Sequence, residues 1–116
     1  MRQDALRMSL LFDYYGELLT EKQRRCFDLY YNQDLSLSEI ADEAGVTRQG
    51  VHDTLSRAAA LLEDCERKLG CIRQAQRVQA AVGRIRAAAD ALASVPGAQT
   101  LARQIMEAAG ELAGET

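Results

Sequence analysis

A chain of 116 residues, 47% of them apolar, falls in the size range of one ordinary domain and carries enough apolar material for a core. A single proline, 5% aromatics and abundant alanine argue against an all-β domain and for helices. With Asp+Glu 17 against Lys+Arg 14, the net charge of −3 excludes attachment to nucleic acid by bulk charge alone.

Leu6, Leu10, Leu11, Tyr14, Tyr15, Leu18 and Leu19 recur at helical spacing and predict an amphipathic first helix. Thr20 restarts the count as an N-cap before Glu21-Lys22-Gln23, and Cys26, Phe27, Leu29 and Tyr30 supply the stripe of a second helix ending near Asn32-Gln33. Ser36-Leu37-Ser38-Glu39 reads as a capping box that opens a short third helix running to Ala44. Gly45 follows where a positive φ is needed, and Thr47 caps the next helix. Ile40, Ala41, Ala44, Val46, Val51 and Leu55 fall where two helices joined by a tight glycine turn pack, which makes this a helix-turn-helix.

The fourth helix is long, with Val51, Leu55, Ala58, Leu62, Cys65 and Leu69 at three-and-four spacing until Gly70. A further stripe of Ile72, Ala75, Val78, Val82, Ile85, Ala89 and Leu92 continues beyond it. Pro96-Gly97 then turns the chain into a last helix carrying Leu101, Ile105, Ala108 and Leu112. The expected fold is all-α: a helix-turn-helix domain over 1–70, then a helical hairpin over 71–116 that serves packing or dimerisation. The stripe from 62 to 92 is longer than so small a domain can cover with its own helices, so a homodimer is expected.

If the motif meets a nucleic acid or another partner, the start of the fourth helix presents Arg48, Gln49, His52, Asp53, Ser56 and Arg57. Arg48 suits a phosphate or a guanine and Gln49 an adenine, whereas Glu39, Asp42, Glu43 and Asp53 offset the two arginines of this region. Gly50 is read either as a tolerated surface glycine or as room for close approach of a partner. A second candidate surface follows, because no acid interrupts Cys71 to Ala89, and Arg73, Arg77 and Arg84 lie within about 40° on a helical wheel. Such a stripe is either a solvated face or a site for RNA phosphates or an acidic protein.

Nothing in the sequence points to catalysis. There is no phosphate-cradling glycine loop or nucleophile elbow, and His52 is the only histidine, so no metal and no cofactor are expected. Cys26, Cys65 and Cys71 form no C-x-x-C pair and read as small buried or half-buried side chains, reduced in a cytoplasm. Arg2, Asp4, Arg7 and Asp13 interrupt the N-terminal apolar residues, so neither a signal peptide nor a membrane insertion is expected, and the location is read as cytoplasmic.

From Thr20-Glu21-Lys22-Gln23-Arg24 through Leu37-Ser38-Glu39-Ile40-Ala41 to Gly45-Val46-Thr47-Arg48, the chain resembles the fourth region of bacterial sigma factors, the helix-turn-helix that reads the upstream promoter element. Promoter readers of that type run Arg-Glu-Arg-Val-Arg-Gln in the reading helix; Arg48-Gln49-Gly50-Val51-His52-Asp53 loses basic side chains and gains an acid. Phe12-Asp13-Tyr14-Tyr15-Gly16, Leu18-Leu19-Thr20-Glu21-Lys22-Gln23, Leu29-Tyr30-Tyr31, Asp34-Leu35-Ser36-Leu37 and Arg48-Gln49-Gly50-Val51-His52-Asp53 together resemble the YlxM family of small bacterial proteins over about residues 6 to 70. That resemblance implies a sigma-like all-helical protein, encoded beside the GTPase of the signal recognition particle. It also implies modulation of that targeting pathway through the particle's protein or its small RNA. No catalytic residue comes with it, and residues 71–116 match only loosely. The expectation is an accessory or regulatory protein of the particle, with a DNA-binding transcriptional regulator acting as a homodimer as the alternative.

Overall fold

Three helix starts in this chain are fixed by hydroxyl side chains. In the computed structural model, which describes residues 4–114, Thr20, Ser36 and Thr47 each have extended backbone, and their Oγ atoms accept from the N–H groups of Gln23, Glu39 and Gly50. Glu39 returns the favour to the Ser36 N–H, completing the expected capping box; Gln23 does the same for Thr20, a second box that the sequence reading did not include. Arg2, counted above among the charged N-terminal residues, lies outside the described residues.

The chain is all-α. Helices α1 (Ala5–Tyr15), α2 (Glu21–Phe27), α3 (Leu37–Ala44), α4 (Arg48–Leu69), α5 (Cys71–Leu92) and α6 (Gln99–Leu112) follow one another with no strand among the described residues. It divides into two compact units, residues 1–72 and 73–116.

In the first unit, α4 packs against α1, α2 and α3, and the core is built from Leu11, Tyr15, Phe27, Ile40, Val51, Leu55 and Leu62 with their neighbours. The apolar stripe predicted for the first helix is narrower in the fold: Leu11, Tyr15 and Leu19 are buried, while Leu6, Tyr14 and Leu18 are exposed. α1 also stops at Tyr15 and gives way to a 3-10 turn over Gly16–Leu18. The second predicted helix is α-helical only to Phe27. From Asp28 to Asn32 it widens into a π-helical segment, where the Gln33 N–H reaches back five residues to the Asp28 carbonyl at 3.0 Å. The widened turn places Tyr31 against Phe27 at 4.6 Å and against Tyr30 at 4.9 Å, and Phe12 stacks on Phe27 at 5.1 Å. Asp34, at φ 60, then turns the chain towards Ser36.

Gly45 ends α3 at φ 69 and Gly70 ends α4 at φ 65, both in the left-handed region that an L side chain disfavours. Of the positions predicted to pack in the helix-turn-helix, Ile40, Ala41, Val51 and Leu55 are buried. Ala44 and Val46 are exposed instead, because they stand at the mouth of a small apolar cleft between α2, α3 and α4.

In the second unit, the chain turns through residues 93–98 between α5 and α6, and the Gln99 side chain donates to the carbonyls of Ala93 and Val95. Its buried apolar residues are Val82, Ala89, Ala98, Ala102 and Ala109. The 62-to-92 stripe, expected to need a second subunit, is largely covered within the single chain: Leu62, Ile72, Val82 and Ala89 are buried, with only Leu69 strongly exposed.

Candidate nucleic-acid and partner interface

The turn Gly45-Val46-Thr47 delivers the start of α4 to the surface, so that Arg48, Gln49, His52, Asp53, Ser56 and Arg57 are all exposed on about half of the helix circumference. These side chains are not independent. The Gln49 amide donates to Asp53 Oδ1 at 2.9 Å, and His52 Nδ1 lies 3.7 Å from the same oxygen. Gln49, the side chain suited to adenine, is thus engaged by the acid one turn along. Arg48 and Arg57 form no ion pair among the described residues, while on the neighbouring face Glu43 holds Arg25 at 2.6 Å.

Gly50 has a local role that neither sequence reading included. Its N–H satisfies the Thr47 cap at 2.9 Å, its carbonyl accepts from Thr54 at 2.9 Å, and an added Cβ would meet Thr47 Oγ1 at 3.1 Å. The glycine leaves room for the cap that starts the reading helix.

Arg73, Arg77 and Arg84 are exposed along α5 in the second unit, with Arg86 half-buried. The structure therefore groups the predicted residues into two sets, one on α4 and one on α5, each on its own helix face.

Two of the expected thiol environments hold and one does not. Cys26 is buried in the wall of the α2–α3–α4 cleft, where burial pushes its thiol pKa up and Lys22 only partly offsets the rise. Cys65 is half-buried, but Cys71 is exposed, since it opens α5 right after the turn at Gly70. The cleft itself, of about 80 Å³, is walled mainly by apolar side chains such as Leu29, Ile40 and Val51, with Lys22, Arg25 and Thr54 also lining it. Among the described residues no three His, Cys, Asp or Glu side chains gather as metal ligands, and no helix is long and apolar enough to cross a membrane.

One polar cluster was not read from the sequence at all. Glu66 is only 3% exposed; it accepts from the Tyr15 hydroxyl at 2.6 Å and from the Ile72 N–H at 2.9 Å, and the Tyr15 hydroxyl in turn accepts from the Cys71 N–H at 3.0 Å. Burial and the bond to Glu66 raise the Tyr15 phenol well above its ordinary range, so it stays a donor. The pair caps the first turn of α5, filling the place a hydroxyl N-cap takes in α2, α3 and α4.

The sequence agrees with these elements when compared with known proteins. The family model described as "Putative helix-turn-helix protein, YlxM / p13 like" matches residues 2–95. The chain belongs to the YlxM/p13-like family. A UPF0122 protein of Thermoanaerobacter sp. strain X514 is 46% identical over 86 residues, 74% of this chain and 74% of the relative. Another from Clostridium kluyveri is 48% identical over 77 residues, covering 66% and 69%. A third, from Desulforamulus reducens, reaches 56% over 66 residues, 57% of this chain and 56% of its own. The family match takes in both arginine sets and ends before α6.

Proposed function

We propose that this YlxM/p13-like protein is a non-enzymatic, cytoplasmic accessory or regulatory protein of the signal recognition particle, binding the particle's GTPase, its small RNA, or both. The observation that carries the reading is the state of the reading helix: Asp53 ties up Gln49, the side chain suited to adenine, and acids border the two arginines, so the helix-turn-helix shape is kept while its base-reading capacity is reduced. The α5 stripe of Arg73, Arg77 and Arg84 supplies the cationic surface that the α4 face lacks. Absence of a nucleotide-binding loop from the sequence supports a role in altering the GTPase cycle from outside.

The test measures binding of the protein to the purified GTPase, to its RNA and to the assembled particle, with GTP turnover followed in parallel. Three variants accompany the wild type: the triple replacement of Arg73, Arg77 and Arg84 by Glu, Arg48→Ala, and Gln49→Ala. If RNA is the ligand, the triple variant loses binding and its salt dependence flattens, while Gln49→Ala changes little. If the GTPase is the ligand, Arg48→Ala and Gln49→Ala cost more than the stripe. No binding at tens of micromolar and unchanged turnover would overturn the assignment. The alternative, a DNA-binding regulator, predicts instead a sharp palindromic consensus from a random duplex pool.

A further inference from the structure

Helices of a small domain ordinarily pack without sizeable voids, yet the first unit keeps an apolar cleft of about 80 Å³ between α2, α3 and α4. Cys26, Leu29, Ile40 and Val51 make its walls, and Val46, 42% exposed, leaves its methyl groups at the mouth. The polar side chains around it fall into two kinds. The Thr54 hydroxyl is spent on the Gly50 carbonyl. Lys22 and Arg25, both exposed and one turn apart on α2, stand at the rim with their charges. Lys22 forms no ion pair among the described residues, and its ammonium is near enough to the cleft wall to act on the Cys26 thiol. Arg25 donates to Glu43 at 2.6 Å, and a guanidinium with five donors has others to offer.

We propose that this cleft is a docking site for an acidic segment of a partner protein, which seats one leucine or isoleucine side chain between α2, α3 and α4 and sets a neighbouring carboxylate on Lys22 and Arg25. Size and charge fix the occupant. An apolar cavity of about 150 Å³ takes up a benzene ring. A cleft of about 80 Å³ therefore suits one branched aliphatic side chain and is too small for an aromatic ring or the length of an acyl chain. The charged side chains that line it are both cations, on a chain whose net charge is −3. An aliphatic side chain flanked by Asp or Glu fills the apolar part and brings to the rim the carboxylate that a neutral or basic segment lacks. One seated side chain and one exposed ion pair make a weak contact by themselves, with a Kd of roughly 10–100 μM for the isolated segment. Lys22 and Arg25 belong to neither arginine set, so this surface stands or falls independently of the signal recognition particle reading.

A random peptide library, displayed in many copies per phage so that weak contacts are retained, is panned against the full chain, and the selected peptides are synthesised and titrated into nitrogen-15-labelled protein. The expected consensus holds Leu or Ile beside Asp or Glu, and titration is expected to shift the amides of Cys26, Val46 and Thr54. Two exposed positions supply variants that keep the fold: Ala44→Trp fills the mouth, and Lys22→Glu reverses the rim charge. Each is expected to weaken the selected peptide roughly tenfold with an unchanged melting temperature, whereas Lys22→Arg binds it as the wild type does. No enriched peptide, a basic or aromatic consensus, or a selected peptide that binds Ala44→Trp and Lys22→Glu as tightly as the wild type would overturn the proposal. Octanoate is titrated in parallel and is expected to leave the same amides unmoved. Shifts there with octanoate and none with peptide would give the cleft to an acyl chain and overturn the protein segment as its occupant.

Discussion

The two units of this chain spend their apolar residues in opposite ways. Residues 1–72 bury Phe27, Leu11, Ile40 and Leu62 almost completely, in a core to which α1 to α4 and the start of α5 contribute. Residues 73–116 bury Val82 and four alanines, and leave Leu101 and Leu112 in solvent. A fully buried leucine or phenylalanine contributes about 1.5–3 kcal/mol by leaving water, and a buried alanine much less. The first unit therefore carries most of the folding free energy, and the second is a thinner structure whose large side chains are held outward.

Breaking that contrast calls for matched truncations. Phe27→Ala is expected to cost about 3–5 kcal/mol, against roughly 1–2 kcal/mol for Val82→Ala, in denaturant titrations followed by circular dichroism. Equal losses would mean that the two units contribute equally. Next comes Glu66→Ala, expected to cost about 2–3 kcal/mol because the Ile72 N–H and the Tyr15 hydroxyl lose their buried acceptor; Tyr15→Phe should lower the melting temperature by less. Gly45→Val is expected to cost about 1–2 kcal/mol from backbone strain alone, since the open space around an added Cβ means no clash accompanies it.

The smallest effect is a pH dependence. The Glu39 carboxyl lies below its ordinary value of 4.5 because it accepts from the Ser36 N–H, with the Ser36 hydroxyl assisting. A carboxyl whose folded pKa is depressed adds stability above the ordinary value, and that increment disappears as pH falls from 4.5 through the lower folded value. Glu39→Gln keeps the capping geometry and removes the titration. Melting temperatures of the two proteins should therefore converge below pH 4.5, the wild type holding the advantage above it.

Much of the first unit was legible because its signals are local. Ser36 with Glu39, Gly45 before Thr47, and Gly70 each act within a turn of themselves, and each stands in the fold where the sequence placed it. The misses depend on distance or on competition between similar residues. Glu66 looked like one more charge on a long helix, because the tyrosine that buries it lies 51 residues away. The π-helical widening after Phe27 answers to packing among Phe12, Phe27 and Tyr31, which no short-range pattern encodes. On α6 the period of the apolar residues was right, but alanine and leucine stripes lie side by side, and periodicity alone does not say which one faces inward. The candidate interface was legible as positions and charges. What the sequence left unseen is that Gln49 and Asp53 bond to each other, and that Gly50 makes room for a cap.

The buried carboxylate and phenol at the start of α5 also set a clock for solvent protons. First-turn amides of a helix lack intrahelical acceptors and ordinarily trade hydrogen for deuterium quickly. Here the Cys71 and Ile72 amides are held by Tyr15 and by the buried Glu66. Their exchange must wait for the first unit to open, although Cys71 itself sits in water. At this helix start, the slow-exchanging core of the first unit reaches the chain's surface.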